Sequence, residues 1–187
     1  MPETESKHIH APFDEETARS LKAGDRVLIS GVILAARDAA HKRLIEALDR
    51  GEQLPVDIKG AVVYYVGPSP AKPGHAIGSA GPTTSGRMDA YTPRLIELGL
   101  KGMIGKGYRS KEVVDAMIKH HVPYLAAVGG AGALIAQSIK KYTVLAYEDL
   151  GPEALAAMEV EDFPAVVVID SKGSNYYEAG QAPYREL

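Results

Sequence analysis

The chain contains no cysteine. Disulfides and thiol nucleophiles are therefore excluded, and so is any iron–sulfur cluster ligated by the chain's own thiolates. No apolar run approaches the length of a membrane span, and the polar stretch 1–13 lacks the apolar centre of a signal peptide. Both absences lead to the expectation of a cytoplasmic protein. A strong charge of either sign is missing too. Against 24 Asp and Glu stand 21 Lys and Arg, a formal net charge of -3, which gives no reason to expect nucleic acid or an anionic membrane as partner. Six histidines are present, but none forms a helical His-x-x-x-His pair with a carboxylate. His120-His121 reads as a solvated pair at a helix end, where the dipole favours it. No metal ligands are assigned.

The 187 residues fit one sizeable domain with a substantial core. No internal repeat or domain boundary is visible. The reading is a polar N-terminal arm over 1–12, extended near its end, and a single domain over 13–187. Asp14-Glu15-Glu16 opens a short helix with acids at its positive end, and a glycine stop closes it near Gly24. A β-branched run over 26–34 predicts a strand, with Gly31 marking a bulge or a close approach. A helix from Asp38 carries Leu44, Ile45 and Leu48 and stops at Arg50-Gly51. A second strand is predicted over 60–66. The proline-rich stretch 67–75 can be neither helix nor central strand and is read as a functional loop.

Further along, Thr92 is read as the N-cap and Pro93 as the first residue of a helix ending at Gly99. A short strand follows over 101–105. Ser110 caps a helix expected to bury Val113, Val114, Met117 and Ile118. Strands are predicted over 123–128, 142–147 and 163–170, a helix from Gly129-Gly130-Ala131-Gly132 through Ile139, and another over 152–158. A turn covers 171–175, and a short polar tail starts at Tyr176. Strands alternating with helices define an α/β protein with a mixed sheet and flanking helices.

The stretch that needs a chemical explanation is Gly81-Pro82-Thr83-Thr84-Ser85-Gly86-Arg87-Met88-Asp89. Glycines let backbone approach a ligand closely, and hydroxyls with free N–H groups suit an anion. Arginine supplies a planar fork that matches a carboxylate or phosphate. The stretch is not a Walker A loop, lacking Gly-Lys-[Ser/Thr], nor a Gly-x-Ser-x-Gly elbow. A triad of Ser85, His75 and Asp89 has no spacing to support it. The run Gly129–Gly132 lacks the full dinucleotide spacing and is read as tight strand-to-helix packing, with nucleotide binding as the alternative. Arg37 sits at the junction between the first long strand and the helix from Asp38, and Lys106 follows the strand 101–105 between glycines. Both lie at the edge where α/β domains place ligands. Arg37, Arg87, Lys106, Thr83, Thr84 and Ser85 therefore form the candidate site. Two arginines and a lysine suit a substrate with two carboxylates.

Several motifs carry a specific resemblance. They are Arg37-Asp38-Ala39-Ala40-His41, Tyr65-Val66-Gly67-Pro68, the run from Ile77-Gly78-Ser79-Ala80 through Asp89, and Gly102-Met103-Ile104-Gly105-Lys106-Gly107. With Phe163-Pro164-Ala165 and the turn Asp170-Ser171-Lys172-Gly173-Ser174-Asn175, they resemble the beta subunit, or C-terminal domain, of class I fumarate hydratase and L(+)-tartrate dehydratase. The resemblance runs from about Ile9 to Tyr177. It implies a swivelling β/β/α domain and a hetero-oligomer with a cysteine-containing alpha subunit that holds a [4Fe-4S] cluster. It further implies a C4 dicarboxylate substrate bound by Arg37, Arg87 and Lys106. It places Thr83 at the carbon that loses a proton, as the catalytic base. A threonine hydroxyl is a poor base unless nearby positive charge stabilises its alkoxide, as Arg87 and Lys106 would. Substrate orientation or proton relay is the alternative role for Thr83. Fumarate, tartrate and mesaconate stay open as substrates, and so does a stand-alone dicarboxylate-binding module.

Overall fold

A computed structural model describes residues 5–128 and 130–181. Gly129, the first glycine of the run Gly129–Gly132, and the ends of the chain lie outside the described residues. Among the described residues, seven strands make one sheet. They are β1 (Lys7–Ala11), β2 (Arg26–Ala35), β3 (Val62–Tyr64), β4 (Gly102–Gly105), β5 (Tyr124–Ala126), β6 (Ile139–Ala146) and β7 (Leu155–Ile169). The helices are α1 (Glu15–Ser20), α2 (Asp38–Asp49), α3 (Thr92–Glu97), α4 (Lys111–His120), α5 (Gly132–Gln137) and α6 (Tyr176–Gln181). Two 3₁₀ turns, Ser85–Met88 and Glu148–Glu153, complete the set.

Strands β1 to β5 run parallel in sequence order. Strand β7 is antiparallel and long enough to pair with β2, β5 and β6. The sheet therefore closes on itself through β7. Alternation along β3 shows what this does to the core, because successive residues face opposite sides. Val62 and Tyr64 join Ile29, Ile33, Met158, Phe163 and Val167 in one apolar cluster, enclosed largely by strands. Val63 and Tyr65 join Leu44, Leu95, Ile96, Met103, Val113 and Met117 in the other, beneath α2, α3 and α4. This is the mixed α/β domain with flanking helices expected from the sequence.

Gly31 answers to both expectations. It takes a left-handed φ of 110°, the β2–β7 register shifts between Ile29 and Gly31, and a Cβ there would sit 2.2 Å from the Ala11 carbonyl oxygen. Helix α2 ends at Asp49 with Gly51 at φ 72° just beyond. Ser110 caps α4, its hydroxyl accepting from the Val113 N–H.

Other expectations change. The extended arm is a full strand, β1, in parallel register with Val27 to Gly31. The helix expected over 152–158 is absent. Residues 148–153 form a 3₁₀ turn and Leu155 starts β7. The alanines that favour a helix are small enough here to let β7 lie between β2 and β6, and this pairing overrides local propensity. Helix α5 stops at Gln137, and β6 begins at Ile139 rather than 142. The tail is helical over Tyr176–Gln181. Thr92 is not an N-cap but the first helical residue. It is fully buried, and its hydroxyl donates to the Met88 carbonyl at 2.8 Å. Ile118 is 40% exposed rather than buried. It sits against Gly173, where an added Cβ would come within 2.7 Å of Ile118 Cδ1.

Candidate functional site

Three parallel strands deliver the candidate residues to one edge. Ala35, Tyr64 and Ile104 share a rung across β2, β3 and β4. The hydrogen bonds Ala36 N–H to Tyr64 O and Tyr65 N–H to Ile104 O carry the pairing one step further. Arg37 and Lys106 are the next residues, at the carboxyl ends of strands that flank β3. At the usual spacing of just under 5 Å between neighbours, their backbones stand roughly 10 Å apart.

The segment 82–85 is laid across this edge. Val66 bridges to Pro82 and Thr84 bridges to Lys106. The Thr83 N–H donates to Tyr65 O at 2.7 Å, and the Ser85 N–H to Lys106 O at 2.9 Å. Extended backbone makes the side chains alternate. Thr84 is exposed, Thr83 half-buried and Ser85 wholly buried. Among the described residues, neither threonine hydroxyl has a hydrogen-bond partner, and Lys106 has no carboxylate within ion-pair reach. Arg87 follows in the 3₁₀ turn, half exposed.

Both arginines are already engaged. Arg87 Nη2 donates to Asp38 Oδ2 at 2.7 Å. Arg37 Nη2 lies 3.2 Å from Glu153 Oε1, and Arg37 Nε lies 3.7 Å from Asp38 Oδ1. That last approach is too long for a hydrogen bond, and both atoms are buried without one. Three cations face two carboxylates, so one positive charge is left over, and a buried guanidinium N–H lacks an acceptor. Such a donor favours an arriving anion. Burial pushes the Asp38 carboxyl up, but its backbone N–H and the Arg87 and Arg37 charges outweigh this and hold it below the usual carboxylate range. The Arg37 side chain also packs over Gly67, where a Cβ would meet its Cδ at 2.8 Å.

Sequence reasoning gave no role to the residues beneath this edge. Arg109 has a fully buried side chain. Its Nε donates to Asp89 Oδ1 at 2.7 Å, its Nη2 to Thr92 Oγ1 at 3.0 Å, and its guanidinium lies over the rings of Tyr65 and Tyr124. Asp89 Oδ2 also accepts from the Ser110 N–H at 2.6 Å. The motif's aspartate is thus an anchor for the turn and not a ligand group. An acid closing a polar loop is a sequence signal that could have led to a buried cation. His41 is buried against Tyr65 and Tyr91, with Nδ1 2.8 Å from the Arg37 carbonyl oxygen. A carbonyl only accepts, so Nδ1 carries the proton. Burial, aided by the nearby Arg109 charge and opposed by that hydrogen bond, lowers the His41 pKa to about 4.

The fold and this edge define a small α/β domain with a cationic, hydroxyl-bearing sheet edge. A family model described as the fumarase C-terminus matches residues 3–180, and the chain belongs to that family. "Fumarate hydratase 2" of Leishmania major is 46% identical over 156 residues, covering 82% of this chain and 28% of that protein. The aerobic class I fumarate hydratase of Escherichia coli (strain K12) is 45% identical over 155 residues, covering 82% and 28%. "Putative L(+)-tartrate dehydratase subunit beta" of Methanocaldococcus jannaschii is 39% identical over 170 residues, covering 88% and 87%. The chain thus spans little more than a quarter of the Leishmania and Escherichia fumarate hydratases, and most of the Methanocaldococcus protein.

The [4Fe-4S] cluster implied by the resemblance finds no ligands here. The chain has no thiolate, and among the described residues no three His, Asp or Glu side chains group to hold a metal ion. No helix among them is long and apolar enough to cross a membrane.

Proposed function

We propose that this chain is the substrate-binding part of a hydro-lyase that reversibly hydrates a C4 dicarboxylate, with fumarate and (S)-malate as the leading pair. The observation that carries the reading is the convergence of Arg37, Arg87 and Lys106 with the unpartnered hydroxyls of Thr83 and Thr84 at one sheet edge, where Arg37 Nε has no acceptor. The substrate's two carboxylates take the two arginine forks and the lysine, in exchange for Asp38 and Glu153. Each charge-assisted bond contributes about 1.5–3 kcal/mol in such a setting. Thr83 stands at the carbon that gives up the proton, and the charges of Arg87 and Lys106 favour its deprotonated form. Ser85, wholly buried, belongs to the wall behind the substrate rather than to its surface.

The rest of the active site lies on a cysteine-containing alpha subunit, which holds the [4Fe-4S] cluster. Two observations support this division. The chain has no cysteine and its described residues hold no set that could ligate such a cluster, and it matches only 28% of the length of the fumarate hydratases of Leishmania major and Escherichia coli. L(+)-tartrate is the second substrate to consider, because the Methanocaldococcus protein, whose name includes a tartrate dehydratase beta subunit, is covered over 87% of its length.

The test is co-expression with a cysteine-bearing alpha chain, anaerobic cluster reconstitution, and assay with fumarate, L(+)-tartrate and mesaconate. Hydration of fumarate by the pair and not by either chain alone is expected. A reconstituted pair inactive on all three would overturn the reading, and tight dicarboxylate binding by this chain alone would replace it with a stand-alone binding module. Within the active pair, Thr83→Ala should lower kcat by about 10²–10⁴ while KM changes little. Near-normal turnover removes Thr83 from the proton transfer.

A further inference from the structure

Tyr124, the first residue of β5, is wholly buried and reaches the candidate site from beneath, through Ser85. Its Oη lies 2.9 Å from the Gly107 carbonyl oxygen and 2.9 Å from Ser85 Oγ. Ser85 Oγ in turn accepts from the Lys106 N–H at 3.1 Å. The direction of each bond follows from the chemistry of the groups. A carbonyl only accepts, so the phenol proton goes to Gly107. The Ser85 hydroxyl must then donate to the phenol oxygen. The chain Lys106 N–H, Ser85 O–H, Tyr124 O–H, Gly107 C=O begins and ends on the backbone that bears Lys106. It uses every hydroxyl proton it contains, so Ser85 has none left for a substrate.

The surroundings hold this relay in place. The Ser85 N–H donates back to Lys106 O. Gly105 leaves the room that Ser85 Oγ fills, since a Cβ there would lie 2.0 Å from it. Gly107 adopts φ 84°, which turns the chain beyond Lys106. The Arg109 guanidinium covers the Tyr124 ring at 5.1 Å. Burial pushes the Tyr124 phenol well above its ordinary pKa, so the phenol keeps its proton.

We infer that Tyr124 is a positioning residue whose phenol, acting through Ser85, fixes Lys106 relative to the loop that carries Thr83 and Arg87. The inference rests on the reading of Lys106 as a substrate group, and two measurements keep the two claims apart. The first uses the full chain without substrate. Tyr124→Phe, and Ser85→Ala as a second variant, should keep the fold while amide exchange protection at Lys106 falls about tenfold or more. Unchanged protection in both folded variants overturns the relay. The second uses the reconstituted pair. Tyr124→Phe should raise KM for the dicarboxylate about tenfold with a much smaller change in kcat, because ground-state binding by Lys106 is what it disturbs. In a Lys106→Ala background the same substitution should change KM no further. An equal additional loss in both backgrounds means general loosening and overturns the positioning role. If the wild-type pair hydrates no dicarboxylate, the functional reading fails, and Lys106 amide protection alone decides whether Tyr124 orders that segment.

Discussion

His41 shows at the scale of one residue what burial does to chemistry. In the unfolded chain its pKa is 6.5, and in the fold it is about 4. Between those values the unfolded chain binds a proton that the folded chain refuses, so stability rises with pH across that window. Acidification from pH 7 to pH 4 should therefore remove about 3 kcal/mol through this group. Denaturant titrations at several pH values check this. His41→Phe should flatten the slope relative to wild type, and an unaltered slope would show that His41 is not the titrating group. The sequence displayed His41 within a family motif but gave no hint of its surroundings. Tyr65 directly follows β3 and Tyr91 comes from the segment before α3, and only the fold brings them together. Arg37 and Lys106 were easier to read, because a cation directly after a strand lies at that strand's carboxyl end whatever surrounds it.

At the scale of elements, the 3₁₀ turn Ser85–Met88 and the start of α3 hang on the buried Arg109–Asp89 pair. Removing either partner leaves an uncompensated buried charge, so Asp89→Ala or Arg109→Met should each cost about 3–5 kcal/mol. The double replacement should cost less than the sum, which a double-mutant cycle on unfolding free energies would reveal. Simple additivity would mean that the two residues act separately. Gly105→Ala tests the same region from the strand below. The added methyl meets Ser85 Oγ at 2.0 Å and Tyr65 Cδ2 at 2.8 Å. Overpacking of this kind should destabilise the domain by about 1–3 kcal/mol, read from thermal or chemical unfolding. The helix expected over 152–158 fails for a reason outside the segment. Helix propensity favoured residues 152–158, yet the segment finds more partners as a strand between β2 and β6. Nothing local to the segment announces those partners.

At the scale of the molecule, the candidate residues come together at one sheet edge. The parallel strands β2, β3 and β4 set Arg37 and Lys106 on one edge, and the crossing loop adds Thr83, Thr84 and Arg87. If the cluster belongs to the alpha subunit, iron chelation should abolish hydration by the reconstituted pair. The unfolding temperature of this chain alone should stay unchanged, because it loses no ligand on chelation. A drop in that temperature would reveal a metal bound by this chain. Calorimetry with and without chelator makes the comparison.

The sequence by itself determined the class of fold, the edge that carries the cations, and that any thiolate chemistry must come from outside these 187 residues. These follow from hydrophobic period, from position relative to strand ends, and from a missing residue type, all local or compositional properties. Tertiary structure alone decided which motif residues face outward. Thr83, Thr84 and Ser85 are three consecutive hydroxyls of nearly equal chemistry. An extended backbone crossing the sheet edge leaves Thr84 exposed and Thr83 half-buried and turns Ser85 into the core, where Tyr124 and the Lys106 backbone take up its hydrogen bonds.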